Sequence, residues 1–288
     1  MAVQGPYHAL GTVWFVECFE PVDDGVVREL VVRELEVFEQ MFSRFRQNSM
    51  LNQLNQTGRL TAPDPLFVSV LSDALRYHET TNGVFNIAVG ERLSSLGYDA
   101  HYSFTKQQAV PEVPVLSDVL TVSDDKVVLT GGSLDIGGFG KGVAIDLVAS
   151  RLADKLGLTQ VLVNGGGDIF VTERVPEPVT ISLVHPTEAG SAIGEVTLKG
   201  QGFAASSPFL RTWPDHDGHG GKTHNHLMTE NEVATYVVAP SAAHADVWAT
   251  ALAINPDLEP PADVQAVLVK DNKVLQCGEG FELFEREA

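Results

Sequence analysis

The sequence predicts an α+β fold. Apolar residues recur with the 3.6-residue period of a helix in some segments and with the two-residue period of a strand in others. The two kinds of segment do not alternate regularly, which argues against a doubly wound parallel sheet. With 288 residues, of which 44% are hydrophobic, the chain can bury a large core. We therefore expect one large domain over residues 1–288, or two interleaved lobes.

The first half of the chain contains two strong helix patterns. Residues 9–19 alternate and are rich in Val, Phe and Trp, as in a strand. An amphipathic helix is predicted over 23–42, with acidic residues in its first turn. After a polar stretch over 43–55, a second helix is predicted from Asp64-Pro65 to about Thr80, because proline is favourable in the first helical turn. Residues 97–118 show no period, and we expect a loop there.

The middle of the chain is rich in glycine. A hairpin is predicted over 126–136, with its turn at Gly131-Gly132. A helix follows over about 140–156 and ends at Gly157. Residues 161–163 are predicted to form a strand. Several short strands, separated by turns, are predicted over 168–207.

The last third repeats this mixture. A Gly- and His-rich loop is predicted over 212–226, and a strand over 233–238. A helix over 242–254 has Ser241 as its predicted N-cap. The tail, 263–286, is predicted to form three short strands.

The chain is strongly acidic, with 19 Lys and Arg against 38 Asp and Glu and a formal charge of −19. Such a surface repels nucleic acid and anionic membranes, so we expect no nucleic-acid partner. A ligand rich in phosphate would need local help from a cation, a helix N-terminus or free backbone N–H groups.

The two cysteines, Cys18 and Cys277, lie far apart and in apolar, strand-like surroundings, so both are predicted to be buried free thiols. No stretch approaches the roughly 20 apolar residues of a membrane span, so we expect no membrane insertion. The start of the chain lacks the pattern of a signal peptide, and the cytoplasm is the expected location.

The first candidate for chemistry is the glycine-rich segment 134–142, between a strand and a helix. Glycines at such a turn let a ligand approach the backbone closely. Asp135 can accept hydrogen bonds there. Lys141 lies in the first helical turn, against the preference of the helix dipole, which favours a role in binding an anion. The spacing matches neither a P-loop nor a dinucleotide fingerprint, and a tight turn with a solvated lysine is the alternative.

Two further motifs each have a purely structural alternative. Residues 164–168, Asn-Gly-Gly-Gly-Asp, place backbone close to a neighbour, but for this motif alone a β-bulge or bend is the preferred interpretation. Asp246 and Thr250 are four residues apart on a predicted helix, so their oxygens share one face and suit a hard cation such as Mg²⁺. The alternative is an acidic residue that favours the helix dipole, with a threonine that bonds back to a carbonyl.

The remaining candidates are a histidine cluster and a loop. His216, His219, His224 and His226 could suggest zinc, but the spacing fits no tetrahedral template and no cysteine accompanies them. One functional histidine is therefore the preferred interpretation. Residues 83–90 follow a helix C-terminus, and they either line a pocket or form a buried turn.

In their order along the chain, these motifs resemble the ApbE-type FAD:protein FMN transferase family. Each motif is weak alone, but their occurrence together in the family's order argues against coincidence. The resemblance covers nearly the whole chain. The matching segments are Leu10 to Thr12, Ser43 to Phe45 with Ser49 and Asn52, residues 83–90, Asp135 to Asp146, Asn164 to Asp168, Ala205 to Pro208, His226 to Met228 and Ala245 to Thr250.

The resemblance implies an ApbE-like, T-fold-related architecture of mixed sheets with flanking helices and a central flavin groove. It implies FAD as the substrate, Mg²⁺ as the cofactor, and a target flavoprotein that accepts FMN on Thr or Ser while AMP is released. The implied Mg²⁺ ligands are Asp246, Thr250 and the carbonyl of Gly138. The residues expected to contact FAD are Leu10, Phe45, Val84, Phe85, Asn86, Asp135, Lys141 and Met228.

Within this scheme His226 is expected to take the proton of the acceptor hydroxyl, and Asp246 to be catalytic through the cation. The chain departs from the family pattern at Phe45, Asn86, Ala88, Pro208, Thr229 and Glu230. Two alternatives use the same residues: an FAD pyrophosphatase that gives FMN and AMP, and a protein that binds FAD without turnover.

Overall fold

The computed structural model describes residues 2–214, 223–271 and 273–284. Helices and strands are mixed, as expected for an α+β fold. The helices, in chain order, are α1 (Asp24–Phe42), α2 (Met50–Thr57), α3 (Pro65–Thr80), α4 (Gly90–Ser95), α5 (Leu116–Val119), α6 (Gly140–Leu156) and α7 (Ala242–Ile254). No helix in these ranges is both long enough and apolar enough to cross a membrane.

The strands fall into four sheets. In chain order they are β1 (Ala2–Ala9), β2 (Thr12–Cys18), β3 (Arg59–Thr61), β4 (Leu120–Val122), β5 (Lys126–Leu129), β6 (Val161–Gly165), β7 (Asp168–Val171), β8 (Val179–Val184), β9 (Ala192–Leu198), β10 (Gln201–Ser206), β11 (Thr212–Pro214), β12 (Thr223–Asn225), β13 (Val233–Ala239), β14 (Gln265–Lys270), β15 (Lys273–Cys277) and β16 (Phe281–Leu283).

The chain divides into two compact units, each assembled from separate segments. The first contains 1–36, 139–210 and 231–288, and the second contains 37–138 and 211–230. Helix α1 is divided between them.

The first unit is built on an eight-stranded antiparallel sheet in the order β1-β2-β6-β7-β10-β13-β14-β15. A small sheet, β16-β9-β8, packs its apolar side chains against one face. Helix α7 packs against the other face through Trp248 and Leu252, among others. Every residue of β13 is buried, because this strand lies between both layers.

The second unit combines the long helix α3 and several shorter helices with two small sheets, β3-β5-β4 and β11-β12. Phe38, Phe42 and Phe67 stack in its core, where the end of α1 meets α3. Helix α3 begins as expected, with Pro65 in the first turn and the Asp64 carboxylate accepting the N–H of Leu66 at 2.8 Å.

Several expectations for local structure were wrong. The predicted hairpin over 126–136 does not form: β5 pairs with β3 and β4, while Ser133 makes a single parallel bridge to Val89. The polar stretch contains helix α2, which begins after Ser49, whose hydroxyl accepts the N–H of Asn52. The predicted loop over 212–226 contains the β11-β12 pair.

Two other differences concern the ends of the chain. Strand β1 precedes the predicted first strand and pairs with β2, so the chain starts with a hairpin that turns at Leu10-Gly11. Cys18 is buried as expected, but Cys277 is exposed, because β15 is the edge strand of the large sheet and all of its residues are exposed. The helices over 24–42, 65–80, 140–156 and 242–254 and the three strands of the tail are confirmed.

Candidate functional site

The first unit brings three charged side chains together. Lys141 comes from the first turn of α6, Asp168 is the first residue of β7, and Asp246 lies in the second turn of α7. The Lys141 Nζ lies 2.7 Å from Asp168 Oδ2 and 3.2 Å from Asp246 Oδ2. Both carboxylate side chains are 4% exposed, whereas that of Lys141 is 25% exposed. One ammonium group therefore forms salt bridges with two buried carboxylates.

The position of Asp246 follows from how tightly the start of α7 is held. The Ser241 hydroxyl caps the helix by accepting the N–H of His244 at 3.2 Å. The Asp146 carboxylate of α6 accepts the N–H groups of Ala242 and Ala243, each at 2.9 Å. The positive end of α7 is thus neutralised inside the protein.

Glycine is required where α6 and β10 meet the start of α7. A Cβ at Gly142 would lie 2.4 Å from the carbonyl oxygen of Ala242, and one at Gly202 would lie 2.3 Å from its nitrogen. Such distances exclude any side chain at either position without a backbone shift. The close approach also lets the Gly142 N–H donate to Asp246 Oδ2 at 3.1 Å.

Asp246 and Thr250 lie one helical turn apart, as the sequence predicts. Both are buried, with 3% and 7% exposure. The Thr250 Oγ1 lies 3.5 Å from the hydroxyl of Ser206, the last residue of β10. Helix α7 is buried on nearly all sides, so this carboxylate is an exception within an apolar helix.

Burial raises the pKa of Asp246, and the neighbouring Asp168 carboxylate adds to this effect. Lys141 and the Gly142 N–H act in the opposite direction. Burial alone would lower the pKa of Lys141, but the two carboxylates outweigh it and hold that pKa above its usual value. Lys141 therefore stays charged, and ionisation of both carboxylates leaves one negative charge uncompensated.

The residues at this position fit a hard divalent cation. They provide a buried carboxylate and a hydroxyl on one helix face, together with excess negative charge that a cation would neutralise. Across the described ranges no three His, Cys, Asp or Glu side chains are grouped as a metal cage. A cation here would therefore complete its coordination with hydroxyl, backbone, water or substrate oxygens.

The second unit holds Asp135 in a network of its own. Arg44 Nε donates a hydrogen bond to Asp135 Oδ2 within a partly buried ion pair. The Gly137 N–H donates to the other carboxylate oxygen at 2.6 Å. The Asn55 amide bonds both the N–H and the C=O of Leu134, at 2.8 and 2.9 Å, which fixes the backbone next to Asp135.

Arg44 also connects Asp135 to the neighbouring aromatic residues. Its guanidinium donates to the Ser94 hydroxyl at 3.1 Å and to the Tyr98 carbonyl at 2.6 Å. It lies over the ring of Phe45, 4.1 Å from the centroid. Phe45, one of the expected FAD contacts, is thereby placed in the same network as Asp135.

The loop over 83–90 is anchored to the end of α3. The Thr81 hydroxyl accepts the N–H of Phe85 at 3.0 Å, and His78 Nδ1 donates to the Phe85 carbonyl at 2.8 Å. The Phe85 ring is buried and packs edge-on against Tyr77. These contacts give Phe85 a structural role, and its expected contact with FAD stays a prediction, as does that of Val84.

Asn86, one of the departures from the family pattern that the sequence resembles, uses both halves of its amide. It donates to the Pro114 carbonyl at 2.9 Å and accepts the N–H of Ala88 at 2.8 Å. A carboxylate could not donate the first of these bonds. The substitution therefore fixes the loop to residue 114, and the expected contact of Asn86 with FAD stays a prediction.

The segment after β12 contains two predicted site residues. His226 is half-buried, and its backbone N–H donates to the Arg211 carbonyl at 3.2 Å. Met228 has a φ of 54°, which few residues other than glycine adopt. The Asn225 side chain stabilises this turn by accepting the N–H of Leu227 at 3.1 Å and donating to the carbonyl of Thr229 at 2.7 Å.

The structure describes two of the four histidines of the predicted cluster. His224 lies in β12 and its ring approaches Trp213, whereas His226 lies beyond the end of that strand. His216 and His219 lie outside the described residues.

The predicted site residues are divided between the two units. Within the first unit, Lys141 contacts Asp246, and Thr250 lies one turn further along α7. Leu10 lies in the β1-β2 turn with a φ of 51°. The others, Phe45, Val84, Phe85, Asn86, Asp135, Gly138, His226 and Met228, belong to the second unit.

Sequence reasoning missed three residues. Arg44, Asp146 and Asp168 lie within the motifs that the sequence analysis describes, but the sequence suggests no role for any of them. A signal for Asp168 was present, because a carboxylate at the first position of a buried strand needs a partner. No local pattern relates Asp168 to Lys141 or Arg44 to Asp135, because each pair comes from segments far apart in the chain.

The ApbE family model matches residues 10–268. The FAD:protein FMN transferase of Buchnera aphidicola is 23% identical over 271 residues, which cover 85% of this chain and 77% of that protein. The FAD:protein FMN transferase of Escherichia coli K12 is 23% identical over 272 residues, with 85% and 76% covered.

Solved structures share the fold. The ApbE protein of Thermotoga maritima superposes with a TM-score of 0.81 at 18% identity, over 95% of this chain and 96% of that one. The flavin transferase ApbE of Vibrio cholerae superposes with a TM-score of 0.70 at 18% identity, over 96% and 94%. The expected ApbE-like arrangement of mixed sheets with flanking helices is thus confirmed.

Proposed function

This chain belongs to the ApbE family, and we propose on that basis that it transfers FMN from FAD to a Thr or Ser hydroxyl of a target flavoprotein and releases AMP, with Mg²⁺ as cofactor. The observation that carries the proposal is the buried pair of Asp246 and Thr250 on one face of α7. Burying a carboxylate in an apolar helix costs free energy, and a cation at this position accounts for its presence.

The proposed reaction exchanges the phosphoanhydride bond of FAD for a phosphoester bond to the acceptor. The acceptor hydroxyl oxygen forms a bond to the phosphorus of the FMN half, and the bridging P–O bond to the AMP half breaks. AMP leaves with the bridging oxygen, and the hydroxyl proton is released. The bound Mg²⁺ would neutralise charge on the pyrophosphate oxygens.

The chain's own groups would bind and orient the reactants. Asp246 and Thr250 would hold the cation, with Gly138 assigned as a further ligand by the family resemblance alone. His226 would accept the proton of the attacking hydroxyl through a ring nitrogen. Because phosphate-rich FAD would otherwise be repelled by a chain of charge −19, a bound cation also lets such a protein bind it.

The FAD-binding groups are proposed from the second unit and from the turn at Leu10. Support comes from how firmly the second unit holds them: Asp135 by Arg44 and Gly137, and the 84–86 loop by α3. Such anchoring keeps a binding surface in one conformation before the ligand arrives, which reduces the entropy cost of binding.

Incubation with FAD, Mg²⁺ and a peptide that carries an acceptor Thr tests the proposal. AMP together with flavinylated peptide is the expected result. AMP with free FMN would instead identify an FAD pyrophosphatase, with water as the acceptor. Retained FAD without AMP release would identify a binding protein and contradict the proposed reaction.

A further inference from the structure

Asp168 is held in place from two sides. It follows the turn at Gly166-Gly167, and its Oδ1 accepts the N–H of Ala205 in the neighbouring strand β10 at 3.3 Å. Its Oδ2 forms a salt bridge with the Lys141 ammonium at 2.7 Å. Strand pairing on both sides of β7 fixes the backbone that carries this carboxylate.

Lys141 contacts its two carboxylates unequally. Its Nζ is 2.7 Å from Asp168 but 3.2 and 3.3 Å from the two oxygens of Asp246. The shorter contact is with Asp168, so the lysine is anchored on β7 and reaches α7 less closely. Asp246 Oδ2 also accepts the Gly142 N–H, whereas Oδ1 makes the longer of the two lysine contacts.

The ammonium group and a divalent cation would compete for the same carboxylate. A lysine paired only with Asp246 would neutralise it, and Coulomb repulsion between Nζ and the cation would weaken binding further. A second carboxylate that draws the lysine away reduces both effects.

We propose that Asp168 is a positioning residue of the cation site: it holds the Lys141 ammonium on β7, so that Asp246 keeps an oxygen for a divalent cation. This inference rests on the proposed function, because it requires a cation at Asp246. It adds a residue that acts through Lys141 and touches neither the cation nor FAD.

Two alternative roles of Asp168 predict different results. If Asp168 only stabilises the fold, removing it changes stability without changing cation affinity. If Asp168 attracts the cation directly by its charge, the loss of affinity does not depend on Lys141. A double-mutant cycle between Asp168 and Lys141 separates both roles from the positioning role.

The test is a titration of the full chain, without FAD, with Mn²⁺ as a probe for Mg²⁺ sites. Electron paramagnetic resonance measures the Mn²⁺ that stays free at each step. The proteins are the wild type, D168N, K141Q, the D168N/K141Q double variant and D246N. The charge control is E173Q, because Glu173 is an exposed carboxylate just after β7. Thermal unfolding checks that each variant is folded.

We expect D168N to weaken Mn²⁺ binding at least about tenfold and E173Q to change it by less than about twofold. In the K141Q background, the effect of D168N should shrink to less than about threefold. If D168N does not fold, D168E replaces it, with an expected loss of at least about threefold that again disappears in the K141Q background.

An effect of D168N that persists in full without Lys141, or one no larger than that of E173Q, would overturn the positioning role and leave the cation site intact. A wild type that binds no Mn²⁺, or that binds it no better than D246N, would instead overturn the proposed cation site and with it this inference.

Discussion

Arg44 and Asp135, 91 positions apart in the sequence, form a partly buried ion pair in which the guanidinium Nε donates to the carboxylate. The same guanidinium satisfies the Tyr98 carbonyl and covers the ring of Phe45. Asp135, expected from the family resemblance to contact FAD, thus has one oxygen bound by Arg44 and the other by the Gly137 N–H. Any contact with FAD would have to be made alongside these bonds.

Replacement of Arg44 by Gln should destabilise the protein by about 2 kcal/mol, because it leaves the partly buried Asp135 carboxylate without its charged partner. Urea unfolding measured by circular dichroism gives the value. The control is R76Q, which breaks an exposed pair with Asp73 and should cost less than about 1 kcal/mol. Equal effects of the two substitutions would contradict the importance of the partly buried pair.

Replacement of Asp246 by Asn should lower AMP release from FAD at least about a hundredfold, because the proposed cation loses its only ionised protein ligand. EDTA should have the same effect on the wild type, and added Mg²⁺ should reverse it. The matched control is D154N, on the exposed face of α6, which should retain wild-type activity. A turnover rate that EDTA leaves unchanged would show that the metal assignment is wrong.

Replacement of His226 by Ala should lower the transfer rate by roughly 10²- to 10⁴-fold, the usual contribution of a general base. The affinity for FAD should change less than about threefold. His224, two positions earlier and packed near Trp213, provides the control H224A. Full transfer activity of H226A would remove His226 from the reaction.

Replacement of Thr81 by Val should destabilise the protein by about 1–3 kcal/mol, since the buried N–H of Phe85 loses its acceptor. If the 84–86 loop contacts FAD, the dissociation constant should also rise several-fold. T80V is the neighbouring control, because the Thr80 side chain is exposed and bonds back into its own helix. Unchanged FAD affinity in a folded T81V protein would argue against a role of this loop in binding.

The carboxyl of Asp146 gives a prediction for pH. Burial raises its pKa to about 6, although the N–H groups of Ala242 and Ala243 act in the opposite direction. The folded state then binds more protons than the unfolded state between about pH 4 and pH 6, so this group's contribution to stability falls as the pH rises through that window. A shift of about two units corresponds to at most about 3 kcal/mol.

The comparison is between the wild type and D146N, because other carboxylates titrate in both proteins alike. The stability of the wild type relative to D146N should decrease as the pH is raised from about 4 to about 6. A relative increase would mean that the two N–H donors and the helix N-terminus dominate over burial and lower the pKa of Asp146.

The accuracy of the sequence-based fold depends on how local each signal is. The first residues of helices α3 and α7 are predicted correctly, because Asp64, Pro65 and Ser241 act on the adjacent first turn. Helix α2 is missed, because it has only eight residues and its capping serine lies within a polar run.

The failed hairpin over 126–136 shows the opposite case. Its glycines and flanking apolar residues favour a local turn, but the actual partners of this region are distant in sequence. Leu134 is bound by the Asn55 side chain, and the Asp135 N–H donates to the Ile87 carbonyl. Strand partners at such separations depend on how helices and sheets assemble, and a single sequence contains no direct measure of that.

The sequence by itself determined the α+β class, the four long helices and the spacing of Asp246 and Thr250 by one turn of α7. Each of these follows from periods and caps within a few residues. The tertiary structure alone decided that Lys141 lies between Asp168 and Asp246, and that Arg44 binds Asp135. Charges attract in space regardless of their order along the chain, so pairs contributed by separate elements form only when packing of the core brings those elements together.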